Sequence, residues 1–201
     1  MSAAARRVGL FGGSFDPIHR GHVDPVLEAR RTLGLDQVVY LPTAEPPHKE
    51  GRRFAPALRR FCMVELALLG HPELVVSDHE LTEGRKSYTV ETVEHFGREQ
   101  PGAELFLFVG ADSYLELDQW RRYEDLLDLV TLVVLARPGF ERALERSPVL
   151  PPGRGTVFVE SAQVDVSSTD LRDLLRAGVR PGPELVADAV VDYCFKYSLY
   201  R

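Results

Sequence analysis

Six short runs of apolar and β-branched residues punctuate the chain: RVGLFG (7–12), QVVYLP (37–42), ELVVSD (73–78), ELFLFVG (104–110), VTLVVLA (130–136) and TVFVES (156–161). Their apolar character is continuous rather than alternating, as in strands of a parallel sheet covered on both faces. The segments between them carry helical spacing. Val23, Val26, Leu27 and Leu33 line one face of 22–33, and Gly34 follows as a stop signal. Leu58, Phe61, Cys62, Leu66 and Leu69 line one face of 56–69, with Gly70 behind them. PELVADAVVDYCFKYSL (183–199) reads as a closing helix with Val186, Val190, Cys194 and Tyr197 near helical spacing. TAEPPHKEGRRF (43–54) and RPGFERALERSPVLPPGRG (137–155) read as loops, the second with room for a short helix near Glu141 to Glu145. The alternation predicts βαβ units and an α/β, Rossmann-like fold: an open, mostly parallel sheet with helices on both faces.

Composition bounds this picture without changing it. A chain of 201 residues that is 44% hydrophobic suits one sizeable core. A single domain over 1–201 is expected, with a helical C-terminal portion from about 167. The net charge of −6 argues against a nucleic-acid partner, because counterion-release binding needs a basic face. Any anion site must be local. Cys62 and Cys194 lack a CxxC or Cys/His ligand spacing and read as small buried hydrophobes. The start MSAAARR has no signal-peptide apolar region, and no apolar run reaches the ~18 residues of a membrane span. A cytoplasmic protein without a membrane partner is expected; association with copies of itself stays open.

Chemistry concentrates in VGLFGGSFDPIHRGHV (8–23), where four glycines and two histidines lie in and just after the first apolar run. Ligands of open α/β sheets bind outside the carboxyl ends of strands, which is where this stretch falls. Gly12 and Gly13 let the backbone approach a ligand closely, and a helix starting near His22 offers N–H groups and a positive dipole end. His19 and His22 add donors able to follow charge as it builds on a phosphoryl group. The pattern is neither GxGxxG nor the Walker pattern, so neither a dinucleotide fold nor a P-loop is supported. Two alternatives are a metal held by His19, His22 and Asp16 or Asp24, and histidines buried for structure alone. A second anion-facing helix start is predicted in VSSTDLR (166–172). Ser167, Ser168 and Thr169 suit an N-cap, and Arg172 lies one turn in with a fork suited to phosphate oxygens.

GGSFDPIHRGH closely resembles the HxGH signature of the nucleotidylyltransferase superfamily, and VSSTDLR resembles its distal SSTxxR element. LPTAEPPHKE, SYTVETV, FVGADSYLELDQW and VVLARPG fall in the order seen in the bacterial nicotinate-nucleotide adenylyltransferase family, so the resemblance covers nearly the whole chain. It implies adenylyl transfer from ATP to nicotinate mononucleotide, giving nicotinate adenine dinucleotide and pyrophosphate in NAD biosynthesis.

The resemblance also assigns roles. His19, His22, Lys49 and Arg172 become the catalytic candidates. Gly12, Gly13, Ser14, Phe15, Gly110, Asp112, Ser167, Ser168 and Thr169 become ATP-binding, and Thr43, His48, Thr89, Trp120 and Arg137 substrate-binding. Read singly, Lys49 could be a solvated loop lysine, Asp112 a helix cap and Trp120 a buried structural indole. Mg²⁺ is expected to ride on the ATP phosphates with mostly water ligands, and no protein metal ligand is expected. The chain departs from the family at Thr43 and Ala44, where asparagine is common, at Glu91, where aspartate is, and at Arg121, where an aromatic residue is. Those departures fall on the mononucleotide side. Other acceptors stay open, namely nicotinamide mononucleotide and phosphopantetheine, as does a catalytically silent nucleotide-binding module.

Overall fold

The computed structural model describes residues 5–44, 54–81, 87–136, 150–160 and 166–201. Among them lie six strands: β1 (Arg7–Gly13), β2 (Gln37–Pro42), β3 (Leu74–Val76), β4 (Glu104–Gly110), β5 (Thr131–Ala136) and β6 (Thr156–Glu160). Seven helices accompany them: α1 (Arg20–Leu33), α2 (Ala57–Leu68), α3 (Thr89–Glu99), α4 (Ala111–Leu115), α5 (Tyr123–Leu129), α6 (Ser168–Arg176) and α7 (Asp188–Lys196). The strands form one sheet in the order β3-β2-β1-β4-β5-β6. All six apolar runs are therefore strands, and the fold is α/β and Rossmann-like. No helix among the described residues is long and apolar enough to cross a membrane.

The chain divides into two compact units, each drawn from three separated stretches: 1–12, 25–39 and 87–162, and 13–24, 40–86 and 163–201. In the first, β1, β4, β5 and β6 pair in parallel, with Leu10 opposite Leu107 and Val133 opposite Val157. Val8 and Leu10 of β1 and Leu132, Val133 and Val134 of β5 are wholly buried, which is why the middles of these two strands are apolar on both faces, whereas β6 exposes Thr156, Phe158 and Glu160. Gly34 ends α1 at φ +61, as its position as a stop signal requires.

In the second unit α2 packs on α7, and the Cys194 thiol lies 3.5 Å from the Met63 sulfur. Burial pushes the Cys194 thiol up to about 12, fitting an inert filler, whereas Cys62 is only half-buried. Two sequence expectations are corrected here. The buried face of α2 is Arg60, Met63, Val64 and Leu68, while Leu58 and Leu69, expected inside, are 66% and 74% exposed. The helix is apolar nearly all round, so periodicity alone selected the wrong face. The closing helix begins at Asp188 rather than near 183. The carbonyls of Pro183 and Leu185 instead accept from Nε and the backbone N–H of Arg20, serving the start of α1.

Candidate active site

The turn after β1 folds around Phe15, whose backbone sits in the left-handed region at φ +46. Its ring is 1% exposed and meets His22 edge-on at 5.3 Å and Tyr40 at 5.6 Å. Phe15 is thus a plug beneath His22, and only its backbone is available to a ligand. Tyr40, wholly buried, donates its hydroxyl to the His22 carbonyl at 3.0 Å, and burial raises its pKa well above the ordinary value.

His22 stands in the first turn of α1 and reaches back: its Nδ1 accepts the backbone N–H of His19 at 3.3 Å. This is the reciprocal half of a capping box, made with imidazole in place of a carboxylate. Because Nδ1 accepts, the neutral ring carries its proton on Nε2. The rings of His19 and His22 overlap with centroids 3.8 Å apart and planes 36° apart, so they lie face against face rather than converging on a metal. His19 is 7% exposed and His22 half-buried.

Gly21 completes the arrangement by what it lacks. A Cβ there would lie 3.1 Å from both Cε1 and Nδ1 of His19. Gly21→Ala is expected to keep its thermal midpoint, since alanine gains roughly 1 kcal/mol of helix propensity over glycine, offsetting the contact. The His19 ring must shift by a few tenths of an ångström, which should lower kcat on the order of tenfold. Unchanged kcat in the folded variant would show that His19 placement does not matter.

The second predicted element docks directly on this turn. Ser167 is the N-cap of α6, its Oγ accepting the Asp170 N–H at 3.1 Å. Ser168 donates its hydroxyl to the Pro17 carbonyl at 3.0 Å. Arg172 is 7% exposed, donating from Nη1 to the Asp16 carbonyl at 2.6 Å and from Nη2 to Thr169 Oγ1 at 2.9 Å. The Ser167, Ser168 and Thr169 side chains are therefore engaged within the protein, so what this helix start turns toward an anion is backbone N–H and dipole. Among the described residues Arg172 spends two of its five N–H groups in these bonds.

Beneath the turn lies a polar network that the sequence did not disclose. Asp16, 1% exposed, accepts at Oδ1 from the Ala55 N–H at 3.1 Å and from the Tyr200 hydroxyl at 2.8 Å, while Oδ2 faces Arg172 Nη1 at 3.9 Å. That commitment removes it from any metal set with the histidines. Burial beside this carboxylate raises the Tyr200 pKa far above its ordinary value. Arg60 is also 1% exposed; burial lowers its pKa, and Asp16 opposes the shift. The only signals available were an arginine within an apolar helix and a tyrosine one residue from the chain end. Neither points to a partner.

In the other unit Gly110 ends β4 and is the N-cap of α4, with no side-chain cap bond. Asp112 is exposed in the first turn, so it is not that helix's cap. Thr89 opens α3, and Trp120 is half-buried. Two departures from the family pattern meet: Arg121 lies 3.5 Å from the Glu91 carboxylate and 4.3 Å over the Tyr88 ring. Among the described residues a Cβ on Gly12 or Gly110 would meet no atom within 4 Å beyond its chain neighbours, so packing there demands neither glycine. Thr43, in the same unit as the histidines, donates its N–H to the Gly13 carbonyl at 3.0 Å. His48, Lys49 and Arg137 lie outside the described residues, as does the short helix expected near Glu141 to Glu145. Among the described residues no group of three His, Cys, Asp or Glu is placed to hold a metal.

Residues 10–174 match the Cytidylyltransferase-like family. A Thermus thermophilus protein named "Probable nicotinate-nucleotide adenylyltransferase" is 42% identical over 195 residues, 97% of this chain and 100% of its own length. A Herpetosiphon aurantiacus protein of the same name is 40% identical over 199 residues, 97% of this chain and 98% of its own. Among solved structures, a Plasmodium falciparum nicotinic acid mononucleotide adenylyltransferase complexed with NaAD superposes with a TM-score of 0.76 at 16% identity, covering 97% of each chain. At that identity the likeness bears on the fold alone.

Proposed function

The chain belongs to the nicotinate-nucleotide adenylyltransferases within the Cytidylyltransferase-like family, and from that membership we infer that it transfers the adenylyl group of ATP to nicotinate mononucleotide. The products are nicotinate adenine dinucleotide and pyrophosphate, a step of NAD biosynthesis. One observation supports placing the phosphates at the turn after β1. The two anion-suited elements, residues 13–22 and 167–172, are joined by the Ser168–Pro17 and Arg172–Asp16 hydrogen bonds.

The reaction needs little from the protein beyond position and charge. The acceptor's 5′-phosphate has its second pKa near 6, so it is already ionised at neutral pH and no general base is required. Its oxygen forms a bond to the α-phosphorus of ATP as the bridging α–β bond breaks in line, and the electron pair leaves on pyrophosphate. The Nε2–H of His22, with His19 stacked on it, faces the α and β phosphates. Arg172 and the start of α6 hold the β and γ phosphates, and Lys49 meets incoming or leaving charge. Gly12, Gly13 and the backbone of Ser14 and Phe15 form the floor. Gly110 and Asp112 meet the nucleotide's sugar, while Thr43, His48, Thr89, Trp120 and Arg137 serve the mononucleotide. Mg²⁺ would accompany ATP as part of the substrate and would supply charge neutralisation on the phosphates, and this reading asks no carboxylate cage of the protein. It also places the enzyme in the cytoplasm, where its nucleotide substrates are made.

Pyrophosphate release with ATP and Mg²⁺, run against nicotinate mononucleotide, nicotinamide mononucleotide and phosphopantetheine, tests this. Turnover is expected with the first, at least about tenfold faster than with the others, as a ring carboxylate that fills built donors commands. Preference for another acceptor would reassign the substrate, and ATP binding without any release would leave only a nucleotide-binding module.

A further inference from the structure

Arg60 stands in the first turn of α2, a poor place for a cation, since the dipole's positive end lies there and the side chain is buried. Among the described residues its hydrogen bonds all go to backbone carbonyls, with the Asp16 carboxylate adding favourable charge nearby. Nε donates to Ala55 at 3.0 Å, Nη1 to Ser14 at 2.7 Å, and Nη2 to Thr43 at 2.6 Å and Ala44 at 2.9 Å. Four of five N–H groups are thus spent on three separate segments. A leucine or methionine would fill the same volume without the desolvation cost, but could not tie these segments to one another.

We propose that Arg60 is a positioning residue for the transfer reaction, holding Ser14 of the phosphate turn against Thr43 and Ala44 beyond β2 and Ala55 ahead of α2. The bonds continue past it. Ala55 donates to Asp16, Asp16 accepts from Arg172, and Arg172 donates to Thr169, so one chain of contacts runs from the loop after β2 to the start of α6. The phosphate turn has other restraints, among them Ser168 on Pro17 and Tyr40 on His22. Among the described residues Thr43 and Ala44 are otherwise tied at two places, the Thr43 N–H and hydroxyl both on the Gly13 carbonyl at 3.0 and 3.5 Å and the Ala44 N–H on the Glu80 carbonyl. Loss of the fork therefore falls mainly on the acceptor side. The consequence for turnover rests on the adenylyl-transfer reading.

Arg60→Lys tests this, because lysine keeps the charge but has no planar fork to span three segments. Steady-state kinetics with both substrates are measured beside residue-resolved amide exchange on the same preparations. KM for nicotinate mononucleotide is expected to rise and kcat to fall, each ~10-fold, with KM for ATP changed less than about threefold. The Thr43, Ala44 and Ala55 amides should exchange ~10-fold faster while those of β1 hold. A folded R60K with both KM values, kcat and these amides unchanged overturns the proposal. So does a variant that only loses thermal stability, for that is what a merely structural arginine predicts. Should R60K not fold, Arg60→Gln, which keeps donors without a buried charge, is read by the same criteria. A wild type inactive on nicotinate mononucleotide defeats the acceptor reading instead, and the amide contrast still decides whether Arg60 holds the three segments.

Discussion

Replacing His22 by alanine should lower kcat by about two to three orders of magnitude, the loss seen when one preorganised donor to developing charge is removed. The size of that loss rests on how this side chain is held. Its Nδ1 is held by the His19 N–H, its ring edge-on by Phe15, and its backbone carbonyl by the Tyr40 hydroxyl. The Nε2–H is therefore fixed before substrate arrives, and no reorganisation is needed as charge moves from the α-phosphorus to the leaving pyrophosphate. The fold should survive, because His22 is only half-buried. His22→Gln, whose amide nitrogen can stand where Nε2 stood, should recover roughly tenfold of the loss, the modest part expected of a donor returned without its orientation. An alanine variant that folds and turns over at the wild-type rate would remove the turn from the chemistry.

Why the turn could be read from sequence while its foundation could not is a matter of which atoms do the bonding. The inner strands declared themselves because a parallel sheet buries both their faces, as at Val8 and Leu10 of β1 and Val133 and Val134 of β5. The histidines, glycines and serines declared themselves because a stacked ring pair, an absent Cβ and an N-cap hydroxyl are each tied to a residue type. Arg60 acts on the carbonyls of Ser14, Thr43, Ala44 and Ala55, and a carbonyl belongs to every residue type. No residue pattern marks such an acceptor. The same holds for the closing helix, shortened because two carbonyls of 183–187 turn to Arg20. Tyr200 meets Asp16 across 184 positions of sequence. The misread face of α2 has the converse cause. Leu58 and Leu69 fit the period, yet the face carrying the arginine is the one that turned inward.

Arg172 should show the second large effect, and two substitutions separate its roles. Its guanidinium lies 3.9 Å from Asp16 Oδ2, with both side chains nearly out of water. Arg172→Ala takes the guanidinium away from that buried carboxylate, which keeps the Ala55 N–H and the Tyr200 hydroxyl on its other oxygen. Breaking a buried pair from one side costs about 3 kcal/mol, or on the order of 10 °C in Tm for a chain of this length. Arg172→Lys keeps a cation near Asp16 and should retain most of that stability. It cannot hold the Asp16 carbonyl, Thr169 and a phosphate oxygen in one plane, so kcat/KM for ATP should still fall about 100-fold. The informative result is the pair: both variants impaired in catalysis, only alanine strongly destabilised. If lysine restored full activity, the cation alone would suffice, and the fork joining the two phosphate-facing segments would have no part in transfer.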